Sequence, residues 1–508
     1  MTDTSGATGV ETAGAQAADL EAQPAPESGS RRWWGLVVIG LAQLIILLDG
    51  TVVNIALPSA QAELGMSDAT RQWAITSYAL AFGGLLLLGG RLSDLVGRKR
   101  MFLLGTAGFG IASAVAGAAS GPGMLFAGRA LQGVFAALLA PSGLALLNVT
   151  FTDPKERSRA FGVFGAVAGA GAAVGLIVGG LLTEYMNWRW CLYLSVPVAV
   201  IVLVAGAVLL RDVGSRASSR LDLLGVLLAT GGLVALVYGF GEAGARGWSD
   251  TVVAATLVGG VALVVLFVVW QGRCAHPLLP LRIVRHRQRA GAYLTSGLGP
   301  IAMFALFLFM TYYLQVVLEF SSVKAGLAFL PLTLSMLMSS TQIAARLLPH
   351  VAPRTLVVPG VLLTACGMLL LTRMSVDSSY VTRVLPAMIL AGVGMGATMM
   401  TAMATATSGV APEDTGVASA MVNTTQQMGG AIGTAVLNTV AATATSGYLH
   451  DHLTGSATPA QRARVAAEGV VHGFSVALWW VVGLLVLTAV LAAALLKRDT
   501  PGGQQESA

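Results

Sequence analysis

Long apolar runs recur along this chain at about 33–57, 73–89, 101–119, 124–147, 161–182, 192–210, 222–240, 251–271, 291–314, 326–345, 355–372, 384–406, 417–440 and 473–496. Each is long enough for a helix to cross ~30 Å of hydrocarbon. Only 11% of the 508 residues are charged, against roughly 25% in soluble domains. The expected fold class is therefore all-α and integral to the membrane, with fourteen transmembrane helices and the lipid bilayer as the first partner.

An even number of spans puts both termini on one side, and the basic residues say which. With the N-terminus in the cytoplasm, Arg31, Arg32, Arg98, Lys99, Arg100, Arg282, Arg285, Arg287 and Arg289 all fall inside, as the positive-inside bias requires. The net charge of +6 thus reports topology, and no nucleic acid is expected as a partner. Residues 1–30 hold acids, no basic residue and no apolar region, so they read as a disordered tail rather than a signal peptide. Basic inside loops at 211–221 and 272–290 bracket one helical pair. The division is then a cytoplasmic tail (1–32), a six-helix half (33–210), a central two-helix insert with its loops (211–290), a second six-helix half (291–496) and a cytoplasmic tail (497–508). The preference for Arg, Ala and Gly suits a GC-rich bacterial genome, which makes a bacterial inner membrane the expected location. Three scattered cysteines give no disulfide framework.

Between the second and third runs lies a charged knot, Gly89-Gly90-Arg91-Leu92-Ser93-Asp94-Leu95-Val96-Gly97-Arg98-Lys99-Arg100. Charges at this density cannot sit in hydrocarbon, so a short aqueous turn is expected from 91 to 100. Gly90 and Gly97 would let two helix ends approach, and Gly97 can take the positive φ of a tight reversal. The order of residues resembles the Gly-x-Leu-x-Asp-x-x-Gly-Arg-Lys/Arg signature of major facilitator superfamily transporters, with Leu95 where the family often has Arg. The resemblance implies a conformational role for Gly90, Asp94, Gly97 and Arg98. With two extra central helices, it points to the fourteen-span drug–proton antiporter branch. The matching stretch in the second half, Ala345–Arg354, lacks both the Gly and the Asp, so span count rather than sequence supports the internal repeat.

No Gly-Lys-Ser/Thr phosphate loop, dinucleotide fingerprint, nucleophile elbow or His-Glu-x-x-His occurs. No cofactor, metal or enzymatic role is expected, and transport energy must come from an ion gradient. The first span ends Leu48-Asp49-Gly50-Thr51-Val52-Val53-Asn54-Ile55-Ala56-Leu57-Pro58, which resembles the antiporters' first-helix signature and makes Asp49 the proton-coupling candidate. An acid within an apolar span is costly and by default functional; the competing reading is a structural acceptor for a neighbouring helix. Gln43 and Asn54 share another face of that helix and are candidate substrate contacts. Arg129, with Gln132 one turn on and Gly133 after it, resembles the superfamily's fourth-span motif, which implies a part in proton relay. Pro141 matches the antiporters too and would kink its helix. Gly171, Gly175, Gly179 and Gly180 form a row for close helix approach; it resembles the antiporter fifth-span motif, with Leu176 in place of its proline. Tyr313-Leu314-Gln315 and Asn423–Gly430 extend the resemblance through the second half.

Flexible apolar and aromatic side chains are the candidates for substrate contact: Phe304, Phe307, Met310 and Tyr313 in the ninth span, Met395 and Met399 in the twelfth; Gln315, just past the ninth span, is a further candidate. Methionine walls repack around varied ligands. Glu242 and Glu319, at the outer ends of spans, could be cation acceptors or merely interfacial, and Glu242 is a further proton-coupling candidate. The function expected is proton-coupled export of small amphipathic molecules such as drugs or antibiotics, with protons and the substrate as ligands and no obligate protein partner. The alternatives are a transporter of one metabolite on the same fold, or a membrane sensor or scaffold that does not transport.

Overall fold

The computed structural model describes residues 29–67, 70–151, 153–210, 222–274, 277–279, 281–348, 350–408, 410, 415–453 and 458–496. The expected tails at 1–28 and 497–508 and the loop 211–221 lie outside them. Every regular element is a helix among these residues. Besides short π-helical segments at Tyr313–Val317, Ser339–Ala344 and Tyr380–Val384, the α-helices in chain order are α1 (Gly29–Leu64), α2 (Trp73–Val96), α3 (Arg98–Gly117), α4 (Pro122–Thr150), α5 (Pro154–Tyr185), α6 (Trp188–Tyr193), α7 (Ser195–Leu209), α8 (Leu223–Arg246) and α9 (Thr251–Gln271). There follow α10 (Leu281–Arg285), α11 (Arg287–Tyr312), α12 (Ser322–Ala328), α13 (Leu330–Met338), α14 (Ala345–Leu347), α15 (Pro353–Leu371), α16 (Leu385–Thr407), α17 (Thr415–His452) and α18 (Pro459–Leu495).

Eleven stretches among the described residues are long and apolar enough to cross a membrane, and 73–86 and 174–185 are shorter apolar helices. Of the fourteen runs read from the sequence, those in α2 and α5 are described as apolar helix over 73–86 and 174–185, and the one in α17 is diluted by Asn423, Gln426, Gln427 and Asn438. The outward faces are apolar: Val204 on α7 is 65% exposed and Val258 on α9 is 70% exposed. Such faces suit hydrocarbon rather than water.

Helices α1–α7 pack chiefly among themselves, as α2 on α4, α3 on α4 and α1 on α5. Helices α11–α18 do the same, as α15 on α16, α11 on α17 and α15 on α18. The two groups meet where α17 lies along α2. The hairpin α8–α9 closes over that seam: the Thr230 hydroxyl donates to the Gly84 carbonyl at 3.1 Å, and Thr439 donates to the Phe240 carbonyl at 3.1 Å. Val237 of α8 is buried there with Ala79, Leu80, Met428 and Ala431.

The knot is not the loop expected from its charges. Nothing between Arg91 and Val96 breaks a helix, so α2 runs on through Arg91 and Asp94. Gly97 alone makes the reversal, at φ 114° with its N–H on the Ser93 carbonyl, a φ that side-chain-bearing residues rarely adopt. The close approach falls one residue earlier than expected. A Cβ at Gly90 would make only ordinary contact, 3.9 Å from the Pro141 Cβ, whereas one at Gly89 would overlap the Ala137 carbonyl. Proline at 141 has no N–H to offer the carbonyl four residues back, and that carbonyl is Ala137's. The oxygen freed by Pro141 is the one against which the Gly89 backbone rests.

At the end of the bundle opposite the knot, the two helix groups are tied directly. The Gln315 side chain donates to the Ile55 carbonyl at 3.0 Å, the Val323 N–H donates to Glu184 at 2.9 Å, and the Tyr312 hydroxyl donates to Gln61.

Candidate functional site

The first-helix acid and the fourth-span arginine, 80 residues apart in sequence, meet in the middle of α1–α4. Asp49 and Arg129 are each 1% exposed. Arg129 Nη1 donates to Asp49 Oδ2, closing a buried ion pair. Arg129 and Gln132 are three residues apart and share a face of α4, so Nη1 also reaches Gln132 Oε1 at 2.8 Å. The Gln132 amide nitrogen donates to Asp49 Oδ1 at 2.8 Å and to the Ser113 hydroxyl at 2.7 Å. Arg129 Nε donates to the Ala74 carbonyl at 2.9 Å, and the guanidinium carbon sits 4.5 Å from the Tyr78 ring centre. One carboxylate, one guanidinium and one amide thus tie four helices together.

Small residues let the helices come close enough for this. A Cβ at Gly133 would lie 2.8 Å from the Ala81 Cβ of α2, and one at Gly128 would lie 2.8 Å from the Ala116 Cα of α3. The glycine row of α5 faces α1 on either side of Asp49: Gly171 meets Leu44, Gly175 meets Leu48 and Thr51, and Gly179 meets Val52. Gly180 departs from that row and lies against Ser322 and Val323 of α12, across the seam.

The other acid expected to couple protons is not part of this cluster. Glu242 lies at the end of α8 and accepts from Arg246 Nε at 2.8 Å, one turn away. Glu319 follows α11 with φ 52°, an uncommon conformation for a residue other than glycine.

The substrate candidates separate into groups. Met395 and Met399 of α16 line a crevice with Thr295, Ser296, Gly299 and Met303 of α11 and Thr364 of α15. Met310 and Tyr313 are fully buried; the Tyr313 hydroxyl donates to the Ser375 carbonyl at 2.8 Å, so both serve packing in this state. Phe307 stacks on Phe329 at 5.1 Å, and Phe304 packs against Gly430. Gln315 belongs to the tie with Ile55. The Asn54 amide is bonded to its own helix at the Gly50 carbonyl, 2.6 Å away, and Gln43 is half-buried on α1. Sequence reasoning missed Ser113, Tyr78 and Gly89. The first two sit in apolar runs where a hydroxyl or a ring reads as filler.

A bundle of membrane-length helices with an acid–guanidinium pair sealed inside it, all hydrogen-bonded, has the architecture of a secondary transporter. The chain belongs to the Major Facilitator Superfamily, whose profile matches residues 39–434. It is 56% identical over 477 residues to the puromycin resistance protein pur8 of Streptomyces alboniger, covering 94% of this chain and 93% of that one. It is 38% identical over 471 residues to the cephamycin export protein CmcT of Amycolatopsis lactamdurans, covering 92% and 94%. Its fold matches the inward-facing, unoccupied crystal structure of a bacterial homologue of the human lysosomal transporter Spinster. The TM-score there is 0.66 at 16% identity, over 94% of this chain and all of that one.

Proposed function

We propose that this protein exports amphipathic antibiotics or other drugs across a bacterial inner membrane in exchange for protons, with Asp49 as the proton-carrying group. The observation that carries the coupling role is the buried Asp49–Arg129 pair with both carboxylate oxygens occupied. A buried ion pair adds little net stability, because desolvation offsets its attraction, so its retention at the crossing of four helices calls for a use. A proton reaching Asp49 cancels the carboxylate and loosens Arg129, whose charge cannot remain unpartnered in the dry core. Proton entry and movement of α1 against α4 are thereby one event. The export reading draws on the relatives named for puromycin resistance and cephamycin export, and puromycin is the first substrate to try.

The helices fit fourteen crossings, with α2, α5 and α17 adding to the eleven apolar stretches, and with both termini in the cytoplasm. They divide as six, the α8–α9 pair, and six. The charged knot and the glycine row act in conformational change, and the methionine-lined crevice contributes to substrate binding. One proton falling through ~100 mV gains about 2.3 kcal/mol, enough to hold roughly a fifty-fold gradient of a neutral drug. The test is drug accumulation in energised inverted vesicles alongside drug-induced proton release. Asp49→Asn is expected to insert and bind drug yet lose uphill accumulation. Unchanged proton release in that variant would remove Asp49 from the mechanism.

A further inference from the structure

Among the described residues, Tyr78 is the aromatic ring in contact with the coupling pair, and its hydroxyl has no hydrogen-bond partner. It lies one turn past Ala74 on α2 and is 6% exposed. The ring is backed by Phe82 at 5.7 Å and turns its face to the Arg129 guanidinium. Of the hydroxyls nearby, Ser77 bonds back to the Trp73 carbonyl at 2.6 Å and Ser113 accepts from Gln132, while Thr76 also lacks a partner; Tyr78 is the one whose ring lies against the Arg129 guanidinium. A buried polar atom without a partner is destabilising, and at a site that changes charge it marks a group whose partner arrives in another state.

We propose that Tyr78 is the second resting place of the Arg129 guanidinium, a positioning residue for proton coupling. The inference rests on the coupling role proposed above for Asp49 and Arg129. With Asp49 ionised, the guanidinium is held by the carboxylate and the ring lies beside it. Once Asp49 takes a proton, it no longer offers a negative charge. Arg129 does not itself lose its proton, and it is too deeply buried to reach water. Its remaining supports are Gln132 Oε1, the Ala74 carbonyl and the Tyr78 ring face, with the phenol oxygen as the free acceptor at hand. The charged and titratable groups facing Tyr78 are Asp49 from α1 and Arg129 from α4, with the neutral Gln132 and Ser113 beside them. The apolar side chains of the buried cluster that Tyr78 belongs to include Phe82 of α2, Phe109 of α3 and Ala136 of α4. Arg71, two residues before α2, is stacked over the Tyr312 ring.

The sign follows from which state loses support. A tyrosine that holds the freed guanidinium favours the protonated state of Asp49, so its removal makes protonation harder and moves coupled export to lower pH. The experiment measures puromycin-driven proton release and puromycin accumulation against pH in vesicles, for the wild type, Tyr78→Phe, Tyr78→Leu and Asp49→Asn. Tyr78→Phe keeps the ring and loses the acceptor; its pH midpoint is expected to fall by about half a unit. Tyr78→Leu loses both and is expected to shift by about one unit or more, a tenfold change in proton concentration at the midpoint. A graded acid shift at matched protein levels supports the proposal. An unshifted or alkaline-shifted Tyr78→Phe overturns it, and that variant alone decides if Tyr78→Leu does not insert. Proton release that persists in Asp49→Asn instead defeats the underlying coupling reading, whatever the tyrosine variants do.

Discussion

The ion pair at the centre of α1–α4 makes a prediction about stability that neither residue makes alone. Asp49 and Arg129 have side chains 0% and 2% exposed, so removing one partner leaves the other with no access to water. Breaking a buried pair in this way costs about 3–5 kcal/mol, while replacing both partners by neutral groups costs far less. Asp49→Asn strands the guanidinium and also sets an amide nitrogen against the Gln132 Nε2 that now donates to Asp49. Arg129→Met strands the carboxylate with one hydrogen bond, from Gln132. The double variant strands nothing: the amide introduced at position 49 can pair with that of Gln132, with Ser113 still in reach. Each single change is expected to lower the unfolding free energy by about 3 kcal/mol, and the double by no more than either, an interaction of about 3 kcal/mol. The assay is denaturant unfolding of the purified protein in detergent, followed by tryptophan fluorescence, with puromycin export measured in parallel. Export should be absent in all three variants, including the more stable double. Additive losses, with the double near ~6 kcal/mol, would show that the two side chains do not support one another and would refute the reasoning.

Gly89→Ala should abolish drug resistance in cells at normal protein levels, because its Cβ would enter the Ala137 carbonyl, whereas Gly90→Ala should be tolerated; equal phenotypes would discard the contact as the reason. In a cysteine-free background, a cysteine at Ser379 should label only from outside and one at Arg273 only from the cytoplasm, and labelling of both from one side would break the fourteen-span topology. Met395→Ala and Met399→Ala should each change the puromycin KM severalfold with little effect on maximal rate, since they enlarge the crevice walls and leave the ion pair alone; an unmoved KM would take the crevice out of substrate binding. Gln315→Leu removes the bond to the Ile55 carbonyl and should lower the drug-to-proton coupling ratio without changing puromycin affinity in de-energised vesicles.

Asp49, Arg129 and Gln132 were legible because ionic and amide side chains in long apolar runs are anomalies that demand partners. Their spacing on α4 told which way Arg129 and Gln132 face. That Asp49 completes the same cluster was not legible, since the two segments lie 80 residues apart and periodicity carries no tertiary information. Composition also misled in both directions. Charges made 91–100 look like a loop, although a helix continues until its first residue with positive φ, Gly97. α17 crosses from one end of the bundle to the other with so many Asn, Gln and Thr residues that it does not count as an apolar span. Met310 and Tyr313 looked adaptable and are buried, because a sequence does not say which face of α11, or of the turn after it, meets the neighbouring helices.

Ionic and adaptable chemistry lie in different parts of the molecule, and their separation decides what the coupling must travel through. The charges lie between α1 and α4, while the methionine- and hydroxyl-lined crevice lies among α11, α15 and α16. A proton on Asp49 touches nothing in that crevice. Yet Ile55, whose carbonyl receives the Gln315 amide, is six residues beyond Asp49 on α1, about 9 Å along an unbroken helix. Gln315 follows directly on α11, whose body carries Ser296, Gly299 and Met303 at the crevice. Two helices joined at one end therefore connect the proposed proton site to the crevice. A shift of α1 when Arg129 lets go must either carry α11 with it or break the joint. Gln315→Leu tests which of the two the cycle requires, and the tie is neutral, so its loss changes the mechanics without changing the charge.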